Sequence, residues 1–584
     1  MAHCSLLGYM RHMHIFEREM RGRRYRIAAQ SVWDSTRGRS VARQVVLGPA
    51  ETPPKVNLSE TRAVGTRGVG DFGALLWVAE QLDLVGHIDR ACAGHATAGG
   101  PSVGEMALAV ALQRVCAPGA KRDLAHFLDS NVPRVSCLPG SAFTGQAFHR
   151  MAGKLSDREL EVAQIAIAKA AVGRFELSTN VLAFDTTNFD THIATTTTGD
   201  LARRGHAKSK RSDLRIVGLG VLVSETGHVP LLYRTFAGNG SDQGVLDSCL
   251  NGLGELHDAL DQGEGRAHRA ERTLVRDGGF WSPQLELDLD VVGYGSLISL
   301  PLSHKASEHA LGFAAKRGAM KQLGGKLAHV RAARTRAPVG ELDRTLVVVE
   351  SQELLEGQKR GIAAALVKVT AELDRLQQLA KSKKISRPTL QQRVHSALRR
   401  EHLSRFVVVE IEGTEERATL RWHVDAKKRR HLEETRLGRR VLCTDRHNWS
   451  TERIVSAFRG QWNVEELFRR AKKGGISAWG PSFQRADGAL RFHTFATVIG
   501  LMLVSLAKIA LGPDLSVRAM MESLAAINAT LVRTSTVGMG RRPTVMLAPE
   551  LSTVQRKAVR VFELDRWFPA LLSCMSSRTP ARAA

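Results

Sequence analysis

The run NVLAFDTTNF, residues 180–189, decides how the chain is read. An apolar segment from Val181 to Phe184 leads directly into Asp185 and the hydroxyls of Thr186 and Thr187. A short apolar run ending in acid and hydroxyl groups reads as a buried strand, and in open α/β sheets functional groups gather at the carboxyl ends of strands. Downstream, LRIVGLGVLVSETGHVPLLYRTF (214–236) gives a second strand, a Gly-containing turn and a third strand, which makes a hairpin. GVLDSCLNGLGELHDAL (244–260) has helical spacing, RTLVRDGGF (272–280) is a fourth strand closing at Asp277, and GYGSLISLP (293–301) is a fifth. Strand, hairpin, helix, strand and strand describe a mixed α/β sheet.

The flanks differ from this core. Residues 13–48 read as short strands separated by Arg-Gly turns, and residues 70–173 read as helices, one opened by a Ser156/Glu159 capping box. This helical block carries Arg114, Lys121, Arg122, Arg150 and Lys154, which fits either a DNA-reading domain or a solvated basic face. Residues 300–440 break the rhythm with strand-like TLVVVES, RFVVVEIEG and ATLRWHV, and with a charged helical pair between the first two. We read that stretch as an insertion. The α/β pattern resumes at RRVLCTD (439–445) and continues into AFRGQWNVEELFRRAKK (457–473), read as one helix. The expected organisation is therefore a β-rich basic region 1–60, a helical, DNA-binding region 61–178, core 179–300, insertion 301–440, core 441–540 and a C-terminal region 541–584, with 575–584 disordered.

Composition narrows the partner. Lys and Arg number 83 against 58 Asp and Glu in 584 residues, a net charge of +25 spread along the chain, which points to a polyanion and first to nucleic acid. The apolar stretch 497–511 is interrupted by Ser505 and Lys508 and reads as a buried helix, so no membrane partner is expected; nor is a secretion signal visible at the N-terminus. Seven scattered cysteines without a C-x-x-C pair argue against zinc or a disulfide framework and fit a reducing cytoplasm.

Three acids stand out by position: Asp185 and Asp277 at strand ends, and Glu465 on the basic helix. If they converge, a pair of hard divalent cations would relieve their repulsion, and two such ions about 3.5–4 Å apart can activate a nucleophile on a phosphodiester. At about 100° per residue, Ala457, Val464, Leu467 and Ala471 share the core arc, Phe458, Gln461, Glu465 and Lys472 a neighbouring arc, and Glu466 points elsewhere as a surface acid. Singly, a strand-end Asp is more often a turn residue, and a Glu among bases more often an ion-pair partner.

At these residues the sequence resembles a bacterial insertion-sequence transposase of the DDE class, with a ribonuclease-H-like core. The segments VVLG, GHAKSKRSDLRIVGLGV, VPLLYRTFAGNGSD and LGRRVLCTD carry the resemblance, together with the insertion and a Tyr-x2-Arg-x3-Glu-x6-Lys motif whose spacing is kept by Phe458, Gln461, Glu465 and Lys472. Phe458 and Gln461 depart from the motif, and Gly278 stands where a basic residue is common. The resemblance implies two Mg2+ ions, with Mn2+ as a substitute, on Asp185, Asp277 and Glu465. It implies double-stranded DNA as partner, both the inverted-repeat ends of the element and its target, bound by a homodimer in a bacterial, nucleoid-associated cytoplasmic setting. Phe458, Gln461, Arg469 and Lys472 are expected on phosphates and Trp462 on an unpaired base or in packing. Lys208, Lys210 and Arg211 form a basic run that reads as a solvated loop or a backbone contact. Thr187, His206 and His493 read as structural. Two other functions stay open: a DNA-binding regulator without catalysis, and a nuclease that cuts without joining.

Overall fold

The computed structural model describes residues 13–20, 22–34, 39–50, 61–95, 99–260, 272–291, 293–382, 384–399, 402–415, 417–472, 476–534 and 544–575. The expectation of disorder after 575 lies outside them, apart from Met575 itself, which ends a helix. In chain order the strands β1 (His14–Met20), β2 (Arg23–Asp34), β3 (Arg39–Pro49) and β4 (Thr61–Gly68) come first. Six helices follow: α1 (Gly70–Gln81), α2 (Leu84–Ala91), α3 (Val103–Cys116), α4 (Leu124–Asp129), α5 (Gly145–Ala152) and α6 (Asp157–Phe175). Next come β5 (Val181–Thr191), β6 (Arg215–Ser224), β7 (Pro230–Ala237), α7 (Asp242–Leu260), β8 (Thr273–Arg276), α8 (Pro283–Val291), β9 (Gly295–Leu300) and α9 (Lys305–Ala314). The following segment holds β10 (Lys321–Gln322), β11 (Arg331–Val339), β12 (Leu342–Glu350), α10 (Gln352–Lys381), α11 (Arg387–Leu398), β13 (Val407–Gly413), β14 (Ala418–Val424), α12 (Ala426–Thr435) and β15 (Arg439–Thr444). The chain closes with α13 (Thr451–Arg459), α14 (Trp462–Ala471), α15 (Asp487–Leu511), α16 (Val517–Ala525), β16 (Asn528–Thr534), β17 (Thr544–Leu547), α17 (Thr553–Val561) and α18 (Ala570–Met575). The fold is mixed α/β, and the order β5-β6-β7-α7-β8-α8-β9 is the element order of a ribonuclease-H-like core.

Two compact units emerge, Met1–Arg272 with Gly460–Ala584, and Thr273–Arg459. In the first, β5, β6 and β7 form an antiparallel meander in which Asp185 lies opposite Val221. The β6–β7 turn uses Gly227 at φ +70°, and a side chain there would run into Ile509 of α15. Helix α15 is the apolar element the sequence marks. It is long and apolar enough to cross a membrane, yet 83% of its most apolar window is buried within the protein. It packs against α1, α3, α5, α6 and β7. The β-rich start is an antiparallel β1-β2-β3 sheet, while β4 instead joins β16 and β17, a long-range pairing that no local pattern announces.

In the second unit β8 and β9 are parallel, and β9, β15, β12 and β11 continue antiparallel in that order, so this sheet is mixed. The sequence reading missed β11. Its buried residues Ala332, Ala333, Ala337 and Val339 are interleaved with arginines and do not alternate cleanly. The helical pair α10–α11 has its own core with β13 and β14, built on Leu373, Leu376, Leu390 and Phe406.

One expectation needs correction. Residues 457–473 are not one helix: α13 stops at Arg459, Gly460 and Gln461 form a turn, and α14 starts at Trp462. Glycine is among the weakest helix formers, so a break there is inexpensive. Glu465 therefore sits in the first turn of α14, not in mid-helix, and Lys472 is the extended C-cap residue at ψ 171°. The core arc holds: Ala457, Val464, Leu467 and Ala471 are all buried.

Candidate carboxylate and nucleic-acid site

In the first unit the site begins on β5. Asp185 accepts a 2.7 Å hydrogen bond from the amide of Thr186, which fixes one carboxylate oxygen against its own strand. The opposite parity of the strand carries Thr186, Asn188 and Asp190, and these three anchor the loop that follows. Asn188 donates to the His206 carbonyl at 3.0 Å and accepts from the Lys208 amide at 3.0 Å. The Ser209 hydroxyl donates to Asp190 at 2.8 Å, and the Lys208 ammonium donates to the Thr186 carbonyl. Lys208 is thereby drawn onto the strand. Lys210 and Arg211 remain exposed, Lys210 in a left-handed turn at φ +64°. Arg211 forms a two-pronged bond with Asp213 that holds this carboxyl at about 2, below its ordinary value.

Lys472 meets this cluster from the end of α14. Partial burial and the neighbouring Lys208 ammonium lower its pKa, while Asp190 and Asp185 oppose that shift. The four groups therefore share one electrostatic neighbourhood: Asp185, Asp190, Lys208 and Lys472. Asn188 and Asp190 were not singled out from the sequence. The available signal was two residues depleted in strands, spaced by two within one. Thr187 is buried with no partner for its hydroxyl among the described residues, and His493 is buried and structural.

Along α14, Glu465 is exposed. Glu466, read from the sequence as a surface acid, is half-buried and pairs with Arg469 at 2.7 Å and Arg470 at 3.5 Å. The Arg469 guanidinium also lies 5.4 Å from the Trp462 ring centre, and that indole is 57% exposed, which disfavours the packing role. Phe458 and Gln461, expected on phosphates, are both buried. The exposed members of the motif are Glu465 and Lys472. In the helical block, Arg114 and Lys121 are likewise buried, so neither belongs to a solvated basic face.

In the second unit Asp277 directly follows β8 and caps a short 3-10 helix, Gly278–Phe280, accepting from the Gly278 amide at 2.8 Å. Beneath it Arg276 is fully buried and paired with Glu286 at 2.5 Å and with the Ser296 hydroxyl at 2.7 Å. Arg344 approaches the other Glu286 oxygen at 3.8 Å. Gly278 is explained by space: a Cβ there would lie 2.5 Å from the Ser299 carbonyl of β9. A basic residue at this position would have to displace backbone.

Asp185, Asp277 and Glu465 offer only carboxylate oxygens, the donor type that suits Mg2+. Among the described residues no three His, Cys, Asp or Glu side chains are gathered to hold a metal ion.

No family model and no curated protein matches the chain. Among solved structures, a piggyBac transposase synaptic complex with hairpin DNA superposes with a TM-score of 0.35 at 8% identity, over 90% of this chain and 85% of that one. A likeness at this score defines no activity, so the functional reading rests on the chain's own residues.

Proposed function

We propose that this protein is a DNA transposase of the DDE class, which cleaves the ends of an insertion sequence and joins them to target DNA. The observation that carries the reading is the packing of α14 against β5, which brings Asp185 into the same electrostatic surroundings as Lys208 and Lys472. A net charge of +25 and the spacing of the Glu465/Lys472 motif support it.

In this reading Asp185, Asp277 and Glu465 bear the metal-dependent chemistry. These carboxylates would hold Mg2+, or Mn2+ in its place, for activation of the attacking oxygen and stabilisation of the leaving one. Lys472 and Arg469 hold backbone phosphates, Lys208 orients against the strand, and Lys210 and Arg211 add contacts to the DNA backbone. Trp462 stacks on an unpaired base. Two copies pair two DNA ends, in a bacterial cytoplasm and on its nucleoid.

The test uses purified protein, a duplex carrying the inverted repeats that flank its gene, and Mg2+. The expected outcome is cleavage that leaves a 3′-hydroxyl, followed by joining to a plasmid. Asp185→Ala, Asp277→Ala and Glu465→Ala should each abolish cleavage and retain DNA binding. An Asp277→Ala protein that cleaves at the wild-type rate removes that aspartate from the scheme. Cleavage without joining makes the protein a nuclease, and binding without cleavage makes it a regulator.

A further inference from the structure

The second unit holds a cavity of about 520 Å³ between α12 and the short 3-10 helix Leu403–Arg405. The run KKRRH (427–431) lies in the first half of α12, and helical geometry divides it. Lys427, Lys428 and His431 line the cavity together with Arg436, just past the end of the helix, and Arg405 joins them from the 3-10 helix. Arg429 turns instead to Glu433 at 3.0 Å, and Arg430 is exposed outside the lining. The core fixes this arrangement. Leu403, Phe406 and Leu432 are buried in one cluster, and the Asp425 amide donates to the Phe406 carbonyl at 2.8 Å.

Four fixed cations and an imidazole thus line one concavity, and no acid lines it among the described residues. Two of the cations are partly compensated: Lys428 lies 3.7 Å from Asp425, and Arg436 lies 3.1 Å from Glu308. Arg405 and Lys427 are exposed and have no ion pair among the described residues. Like charges gathered in a concave surface focus a positive potential that draws in an anion. The start of α12 does not contribute, because Asp425 already accepts from the amides of Lys427 and Lys428 at 3.0 Å each. The site is therefore built from side chains. Arg and Lys are the ones that hold phosphate oxygens, Arg with two donors at once. Shape then selects among phosphates. A DNA duplex carries its phosphates singly on a convex surface, and few of them enter a concavity of this size. A chain of linked phosphoryl groups brings several charges into the same volume. No aromatic residue lines the cavity among the described residues, so no platform there holds a base.

From this geometry we infer that the cavity binds a compact polyphosphate, inorganic tripolyphosphate or the triphosphate of a nucleotide, through Arg405, Lys427, Lys428 and Arg436. The inference goes beyond the transposase reading and does not depend on it. It gives the insertion a site for a small anion, built without Asp185, Asp277, Glu465 or any residue of α14.

The experiment is isothermal titration calorimetry of the full chain with tripolyphosphate, in EDTA and without DNA, repeated with ATP. A saturable site is expected, and the two ligands should bind alike. Arg405→Ala and Lys427→Ala should each weaken binding about tenfold, the scale of one charge-assisted contact. Arg430→Ala removes an equal charge from the same helix outside the cavity and should change little. Circular dichroism and thermal midpoints check that the variants are folded, which the exposure of all three side chains favours. The absence of a saturable site, binding confined to ATP, or an Arg430→Ala loss equal to that of Arg405→Ala overturns the inference. So does duplex DNA that displaces tripolyphosphate from the wild type and binds the Arg405→Ala protein less well, since the cavity is then a contact for the DNA backbone. Cleavage of end DNA by the wild type is scored separately. A protein that binds tripolyphosphate as described but cleaves nothing sinks the transposase reading and spares this one.

Discussion

Two buried bases support the two strands that carry the candidate aspartates, and they are neutralised differently. Under Asp277, Arg276 meets the carboxylate of Glu286 and the Ser296 hydroxyl. In the other unit, Lys121 meets a ring nitrogen of His493 at 3.2 Å and no acid among the described residues, with the Phe148 ring 5.3 Å from its ammonium. His493 lies against Trp479, which stacks at 4.9 Å on Phe189 of β5, so this buried group reaches the strand of Asp185 through three aromatic rings. Burial and the nearby Arg114 push Lys121 down to about 7, and burial pushes His493 well below its usual value. The lesson is that burial beside neutral and cationic groups lowers the proton affinity of a base, whereas a buried ion pair is costly chiefly when one partner is removed.

The largest expected effect comes from breaking the paired side. Arg276→Leu leaves Glu286 buried without its closest partner and should cost about 3–5 kcal/mol in guanidinium unfolding. The double change Arg276→Met with Glu286→Leu should recover most of that. A single variant within 1 kcal/mol of wild type, roughly the spread of ordinary surface changes, would mean that the ion pair does not hold β8.

The unpaired side should respond to pH instead. The folded Lys121 value lies below the ordinary 10.5, so the unfolded chain binds one more proton between about 7 and 10.5. Stability should therefore rise with pH through that window, by up to about 1.4 kcal/mol per unit, and the full penalty should be present below pH 7. The contrast to measure is wild type against Lys121→Met from pH 7 to 10. Parallel curves would place the ammonium in water.

Gly278→Arg tests the space beside Asp277. Its Cβ meets the Ser299 carbonyl, so a loss of roughly 1–3 kcal/mol is expected, read as a lower thermal midpoint. The smallest effect belongs to Asn188→Ala. Losing the two bonds to the 206–208 loop should cost about 1 kcal/mol and speed hydrogen exchange at the Lys208 amide, with the rest of β5 unchanged.

Much of the architecture was legible because burial leaves a period in the chain. The apolar runs of β5, β6 and β9 and the stripe of α15 stand out at that level. The ion pairs of Glu466 were not read, although its partners three and four residues ahead share its helix face. The break at Gly460 was harder, because helical periodicity survives a two-residue turn and the core arc continues through it. Strand β4 was hidden because its partner β16 lies more than four hundred residues later.

By itself the sequence determined the local elements, the excess of positive charge, and which residue types were on hand for chemistry: three carboxylates, a basic helix and one tryptophan among arginines. Those follow from neighbours along the chain. Tertiary structure alone decided that Lys472 shares the electrostatic surroundings of Asp185 and Asp190, that Gly278 has no room for a side chain, that Arg114 and Lys121 lie inside, and that Trp462 opens on a basic cleft. The reason is physical. Burial, screening and the space around an atom depend on residues brought near by folding, and no period in the chain encodes them.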